Sequence, residues 1–250
     1  MRIKPDDNKI RSFTKLYWRE GREVLAKTTA PVINLIGNVP IEEIKQRAEL
    51  IMDSNATREY LLKIWTTTGG FFARDMADRL MMRQKDDQFW EDAYYAYMAE
   101  RVKAKVAGIA RTQSSLFNSV VDLVIREGEA EGLSIQNITS RLKYEVNKRM
   151  LEIQSWEAQR IAQTEVIGAA NKGSFDGARA TGLEIKKGWL TSGRSNVRDS
   201  HRLYESRGFV PMDFDYGTLM GIGGLMHPGD PNGAAEEIIN CHCAIIYSTL

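Results

Sequence analysis

The sequence predicts an α+β protein, with a helical N-terminal part at 1–150 followed by a small mixed α/β module at 151–250. Apolar residues up to about residue 150 recur every three or four positions, which is the period of an α-helix. After Gly182 the pattern changes to short alternating runs separated by glycine and proline, which is typical of strands joined by turns. With 250 residues and 43% hydrophobic content, the chain has enough apolar material for a folded core.

The N-terminal part contains three apolar stripes at helical spacing. Pro40, followed by two glutamates, favours a helix start, and Ser134 is a typical N-cap. The threonine and glycine run at 66–70 is poor helix sequence, so we expect the helix that contains it to kink or split. The stripes are Leu61, Trp65, Phe72, Met76 and Leu80; Trp90, Tyr94, Met98, Val102, Val106 and Ile109; and Ile138, Leu142, Val146 and Met150.

A further helix is predicted from 152 to 181, with Gly182 as its natural C-terminal stop. One face carries mostly small residues, which predicts close packing against another element. Glu165 borders this face and needs a hydrogen-bond donor, because a half-buried carboxylate is costly without one. We expect Arg198 and Asp199 to lie beside it in an ion-pair network. The stripe is Ala158, Ala162, Val166, Ala169, Gly173, Gly177 and Ala180.

The C-terminal module is predicted to contain three strands and one short helix. The strands are expected at 184–192, 209–212 and 243–248, where β-prone residues alternate, and the helix at 197–205. The run His227-Pro228-Gly229-Asp230-Pro231 has the composition of a rigid turn. Proline fixes φ there, and aspartate can bond to its own backbone.

Charge and cysteine content limit the class of protein. The net charge of +1 excludes a strongly basic nucleic-acid-binding surface over the whole chain. The first 28 residues are an exception, with eight basic and four acidic residues. Two cysteines exclude a disulfide scaffold and favour a reducing cytosol, and no signal peptide or membrane-spanning run is apparent. The candidate contacts to a partner or to DNA are Arg11, Lys15, Arg19 and Arg22, with a solvated helix face as the alternative.

All three histidines and both cysteines lie within the last 50 residues, a distribution typical of a metal or catalytic site. Cys241 and Cys243 would share one face of a strand and present two soft ligands to a cation. Zinc prefers about four ligands, so His201 and either His227 or Asp199 would complete a structural zinc site. Two small buried thiols without a metal are the alternative.

The same segment contains two sets of residue types that occur in hydrolases. Cys241, His201 and Asn240 are the residue types of a cysteine-protease triad. A metal-dependent nuclease with a His-Asn centre would use Asp199, His201, Asn240 and His242. No nucleotide-binding loop of the Gly-x-x-x-x-Gly-Lys type is present in the sequence. Nothing in the sequence places the triad residues within hydrogen-bond reach, and the region around the nuclease set is not basic, since 151–250 has a net charge of −3. We therefore expect no catalytic residues and no enzymatic activity.

Six short motifs follow one another at 160–165, 170–173, 189–191, 197–201, 226–231 and 235–243. In this order they resemble the phage head-morphogenesis family, the minor head proteins similar to protein F of phage Mu. The resemblance covers about a third of the chain, and its most specific element is the closing Asn-Cys-x-Cys. Two positions depart from the family pattern, because His242 stands where arginine is common and Gly208 follows the histidine-containing helix a little late.

The resemblance implies a minor capsid protein of a tailed phage that binds the portal protein in multiple copies around the portal vertex and acts in head assembly. Contacts with the major capsid protein and with packaged DNA, and a role in DNA packaging or ejection, are further expectations from it. No membrane partner is implied, and the expected location is the virion, after assembly in the host cytoplasm. The helical part at 1–150 would then be the portal-interacting region.

The resemblance also marks structural motif positions, without any catalytic role. Two other functions stay open at this point: a metal-dependent nuclease or peptidase of head maturation, and a DNA-binding assembly factor. The motif positions are Glu165, Trp189, Arg198, Asp199, His201, Pro228, Gly229, Asp230, Asn240, Cys241 and Cys243.

Overall fold

The computed structural model describes residues 2–51, 55–80 and 87–249. Its helices are α1 (Asp7–Ile33), α2 (Ile44–Ile51), α3 (Asn55–Ile64), α4 (Gly70–Arg79), α5 (Asp87–Ala99), α6 (Val102–Ala130), α7 (Ile135–Ala180), α8 (Asp199–Ser206) and α9 (Ala235–Ile238). The strands are β1 (Arg2–Ile3), β2 (Ile185–Leu190), β3 (Phe209–Pro211) and β4 (Ala244–Thr249). The predicted α+β class, helical first and mixed at the C-terminus, is confirmed.

The chain divides into two compact units. The first, called the module unit below, comprises Met1–Tyr17, Leu62–Ala99 and Arg160–Leu250. The second, called the helical unit, comprises Trp18–Leu61 and Glu100–Gln159. This division does not follow the predicted boundary at residue 150, because α4 and α5 pack in the same unit as the C-terminal strands.

The strands form one antiparallel sheet in the module unit, in the order β1-β4-β2-β3. Strand β2 lies between two partners, with Trp189 opposite Ile245 of β4 and Gly188 opposite Phe209 of β3. The three predicted strands are present. The sequence pattern missed β1, because two residues are too short to show the alternation of a strand.

Helix α7 is continuous over 46 residues, so the separate helix predicted at 152–181 is wrong. No glycine or proline interrupts the chain around residue 150, and the helix therefore continues. Its ends are as predicted: the Ser134 hydroxyl accepts a hydrogen bond from the Asn137 amide at 3.3 Å, and Gly182 adopts a left-handed φ of 66°.

The small face of α7 packs closely against another backbone in the module unit. A Cβ atom built on Gly173 would lie 2.3 Å from the Gly69 carbonyl oxygen, and one on Gly177 would lie 2.1 Å from that of Ala73. The close-packing prediction is therefore confirmed at these two glycines, whereas Ala180 is exposed. The expected kink is a π-helical turn at Trp65–Gly69, between α3 and α4.

The predicted apolar stripes lie mainly in the core. The stripe through Trp90 is buried from Trp90 to Val106, but it belongs to two helices, because α5 ends at Ala99 and α6 begins at Val102. In the helical unit one core contains Val32, Ile36, Ile44, Ala48, Phe117, Val120, Val121, Val124, Leu142, Val146 and Met150. In the described ranges, no helix combines the length and the apolar character needed to cross a membrane.

Candidate metal centre

Three of the clustered side chains meet in the module unit. His201 lies in the first turn of α8, and Cys241 and Cys243 lie in the segment that leads into β4. The Nδ1 atom of His201 is 3.3 Å from the Sγ atom of Cys243 and 3.8 Å from that of Cys241. One ligand atom from each residue lies within 4.8 Å of the others, and all three residues are buried. The group could therefore hold a metal ion.

The distances between these atoms suit zinc. Zinc lies about 2.3 Å from a thiolate and about 2.0 Å from an imidazole nitrogen, so tetrahedral geometry places sulfur and nitrogen roughly 3.6 Å apart. The two observed nitrogen–sulfur distances, 3.3 and 3.8 Å, fall on either side of this value. Small side-chain movements would bring all three atoms onto one ion.

Glu237 of α9 lies against the other nitrogen of the histidine. Its Oε2 atom is 3.0 Å from Nε2 of His201, and its carboxylate accepts a hydrogen bond from the Ser200 hydroxyl. With a metal bound at Nδ1, a carboxylate in this position would orient the ring through the proton on Nε2. Nδ1 is the ring atom that faces the two sulfur atoms.

The two thiols differ in their protonation. Hydrogen bonding from the Cys241 thiol and from His201 lowers the pKa of Cys243 to about 5, against the opposing effect of burial. The pKa of Cys241 is raised well above its usual range, first because its thiol donates to Cys243 and then because it is buried. The lowered pKa of Cys243 favours its thiolate, which is the form that binds metal.

Aromatic packing fixes the position of the centre. The Trp189 ring of β2 lies 5.0 Å from the ring of His201 and 4.9 Å from that of Tyr204, both on α8. At the end of β2, the Thr191 hydroxyl donates to the Glu205 carboxylate at 2.6 Å, which attaches the strand to α8. The cysteines belong to the same buried cluster, with Trp189, Tyr204, Tyr216 and Leu225.

The cysteine segment is also attached to α7. The Asn171 side chain donates to the Cys243 carbonyl oxygen at 3.1 Å and accepts from the Ile245 amide at 2.9 Å. One buried amide therefore pairs with both backbone groups and sets where β4 begins. The sequence motif contained Asn171, but nothing in the pattern indicated this contact.

A small cavity opens beside the centre. Its volume is about 20 Å³, which is room for roughly one water molecule. Asn240, next to it, has a left-handed φ of 55° and donates its backbone amide to the Thr164 hydroxyl. The lining residues are Ser192, Asn196, Val197, Arg198, His201, Asn240, His242 and Cys243.

The structure corrects the predicted set of metal ligands. His227 does not join the group, because its Nε2 atom lies 3.5 Å from Asp230 and its ring packs against Phe175. Asp199 does not join it either, since its side chain is 99% exposed and lies near Arg202. Sequence spacing cannot show which of His201 and His227 is the ligand, because that depends on the element against which each histidine packs.

The two hydrolase sets are only partly brought together. Asn240 and His242 line the cavity with His201, but Asp199 lies on the surface, and the space holds about one water rather than a substrate. In the protease-like set, Glu237 rather than Asn240 lies against the histidine, and Cys243 is closer to it than Cys241.

The predicted network around Glu165 is wrong. Its carboxylate accepts a hydrogen bond from the Trp65 indole at 2.6 Å, while Arg198 donates to the Ile239 carbonyl oxygen. The expected donor is present, although Glu165 is buried and not half-buried as predicted. The donor differs because this face of α7 packs against the π-helical turn, and sequence spacing does not show that contact.

The predicted rigid turn is confirmed. Gly229 adopts a φ of 72°, and a Cβ atom built on Gly168 of α7 would lie 2.8 Å from its carbonyl oxygen. The carboxylate of Asp230 accepts hydrogen bonds from the Met226 and Asn232 amides. Pro228 and its neighbours therefore hold this loop against α7 without contributing to the metal centre.

Lys187 of β2 is a buried titratable residue that the sequence pattern did not indicate. It is fully buried, donates to the Met226 carbonyl oxygen at 2.7 Å and lies over the Phe175 ring. Burial lowers its pKa to about 8. A lysine within an alternating strand is usually exposed, so the pattern gave no signal for this position.

Comparison of the chain with family models, with curated proteins and with solved structures gave no match.

Proposed function

We propose that this chain is a minor head protein of a tailed phage, whose C-terminal module is stabilised by one zinc ion. The assembly role rests on the ordered motifs between 160 and 243, which end in the Asn-Cys-x-Cys sequence. In this proposal the portal protein is the partner, and several copies surround the portal vertex. The major capsid protein and packaged DNA are further partners during head assembly.

One observation carries the zinc part of the proposal: the buried His201, Cys241 and Cys243 could form a donor set for a soft cation. Two thiol groups and one imidazole are the ligand types that zinc prefers. The adjoining cavity is too small for a peptide or a nucleotide, which favours a structural role over hydrolysis.

Zinc at this position would join parts of the module that are distant in sequence. His201 is held by α8, and the cysteines precede the central part of the sheet. Because the ligands are not assembled in an unfolded chain, the free energy of binding would add to the free energy of folding. A rigid module suits a protein that must present a fixed surface to an assembling capsid.

Co-expression with the cognate portal protein tests the assembly role. We expect the full chain to remain bound to portal rings through affinity purification and size-exclusion chromatography. Cys243→Ser should reduce the bound amount, because it weakens the module, while His242→Asn, a neighbouring change outside the ligand group, should leave it unchanged. Absence of the native chain from the portal fraction would contradict the assembly role.

The zinc part is tested separately by thermal unfolding of the native chain. Treatment with a strong chelator should lower the midpoint, and added zinc should restore it. An unchanged midpoint in a chain that is shown to be metal-free would contradict a stabilising metal, whatever the result with the portal.

A further inference from the structure

The protein supplies three ligand atoms to the candidate centre, whereas zinc usually binds four. Within the described ranges, no other histidine, cysteine, aspartate or glutamate joins His201, Cys241 and Cys243 in the group. Glu237 contacts the histidine through the opposite ring nitrogen and is therefore not a fourth ligand. His242 is also outside the group, although it lies between the two cysteines in the chain.

The space beside the ligands indicates what the fourth ligand is. The cavity of about 20 Å³ is lined by His201 and Cys243, and it has room for roughly one water molecule. It lies between residues of 192–198 and 240–243. A water molecule or a monatomic ion can therefore fit beside a metal held there.

The charges around the cavity favour an anion. Arg198 lines it, and the Nη1 atom of Arg194 lies 3.2 Å from Nε2 of His242. Since a guanidinium group only donates hydrogen bonds, His242 accepts and is neutral in this contact. The residues that line the cavity include no carboxylate. A zinc ion with two thiolates carries no net charge. The two arginines then add positive potential at the cavity, and the Glu237 carboxylate at the opposite nitrogen of His201 partly offsets it.

We propose that the metal held by His201, Cys241 and Cys243 takes its fourth ligand from solvent, and that chloride or a halide of similar size replaces water at this position. This inference rests on the proposed metal centre. The step is a ligand exchange, in which a metal–oxygen bond breaks, a metal–halide bond forms and water leaves, without oxidation or reduction. The centre is thus a site for a small anion.

X-ray absorption at the zinc edge tests this in the zinc-loaded full chain. In halide-free buffer we expect a first shell of two sulfur atoms, one nitrogen and one oxygen. Added bromide should replace the oxygen with a heavy scatterer, whereas added phosphate, which is too large, should leave the shell unchanged. A shell of two sulfur atoms that does not respond to bromide would overturn the anion site but retain the metal centre.

A shell with fewer than two sulfur atoms, or a chain that retains no zinc, would instead remove the metal centre, and the anion site with it. The charge argument has its own test. Arg198→Gln and Arg194→Gln should each weaken bromide affinity by roughly tenfold, because each removes one nearby positive charge. The matched control is Arg202→Gln on the exposed side of α8, which should not change it. Equal affinities in all three variants would contradict the role of the two arginines.

Discussion

The Nδ1 atom of His201 lies 3.3 Å from the Sγ atom of Cys243, although 42 positions separate the two residues in the chain. The contact exists because Trp189 packs against α8 on one side, and Asn171 fixes the cysteine backbone on the other. Both supports come from the module unit. The metal centre proposed for this chain depends on their combined geometry.

The first prediction concerns Glu237, which lies 3.0 Å from the outer nitrogen of His201. Glu237→Gln removes the charge that orients the imidazole, so zinc affinity should fall by roughly 10- to 100-fold without loss of the fold. Competition with a fluorescent chelator measures this affinity. Glu236→Gln on the same short helix is the matched control, because that side chain is exposed. Equal affinities in the two variants would show that the carboxylate does not position the ligand.

The second prediction concerns the small face of α7. Gly177→Ala would place a Cβ atom 2.1 Å from the Ala73 carbonyl oxygen. This oxygen belongs to the backbone of α4, so relieving the clash requires the helix itself to shift. We expect the free energy of unfolding in urea to fall by about 1–3 kcal/mol. The control is Gly108→Ala in α6, where nothing lies within 4 Å of the new atom. That change should stabilise the chain by roughly 0.5–1 kcal/mol, and a similar loss in both variants would contradict close packing.

The third prediction concerns pH and His227. Burial lowers the pKa of this histidine below 6.5, Lys172 lowers it further, and Asp230 and Asp176 oppose the shift. Between this lowered pKa and 6.5, the unfolded chain binds a proton at this residue that the folded chain does not. The free energy of unfolding therefore falls as the pH drops through this range. Well above pH 6.5, where neither state is protonated, His227 contributes no pH dependence.

Urea unfolding between pH 5 and 8 measures this effect in the native chain and in His227→Phe. The phenylalanine variant lacks the titrating nitrogen, so its stability should depend less on pH below about 6.5. The difference between the two chains isolates this residue from any loss of metal in acid. Equal pH dependence of the two chains over the acid range would show that His227 is not the group responsible.

The fourth prediction concerns the N-terminal helix, where Arg11, Lys15, Arg19 and Arg22 are all exposed. If they bind packaged DNA, as proposed, changing all four to Ser should weaken binding to duplex DNA. The dependence of affinity on salt should also decrease, by about 0.9 in logarithmic slope for each phosphate that is no longer neutralised. Fluorescence anisotropy over a range of salt concentrations measures both quantities.

A control for this experiment changes the same number of positive charges elsewhere. Lys103, Arg126, Lys143 and Lys148 lie on α6 and α7, away from α1 in sequence, and changing them to Ser lowers the net charge equally. An equal loss of binding in the two variants would indicate a general charge effect instead of a specific interaction of α1. Unchanged binding in the α1 variant would contradict the proposed DNA-binding role of this helix.

Much of the fold could be predicted because helical periodicity and capping are local properties. The stripe from Ile138 to Met150 is buried, Ser134 caps α7, and the run at 66–70 does interrupt its helix. The continuation of α7 through residue 150 was missed, although the sequence has no glycine or proline there. Local pattern could not place Glu165 beside Trp65, since that interaction joins residues 100 positions apart.

The candidate site could be predicted in part. Both cysteines and His201 were expected as ligands, because zinc uses these residue types. His227 was included wrongly, since composition does not show which histidine packs against α8. Glu237 was missed because exposed glutamates are common in short helices, and only its distance to His201 gives it a role.

The zinc content of the full chain, purified from cells without added metal, tests the central claim most directly. We predict one zinc ion per chain in the native protein and in His227→Ala, and a large loss in His201→Ala, because His201 is the histidine that joins the two cysteines. A native chain that is folded and reduced but contains no zinc above trace level would contradict the metal centre.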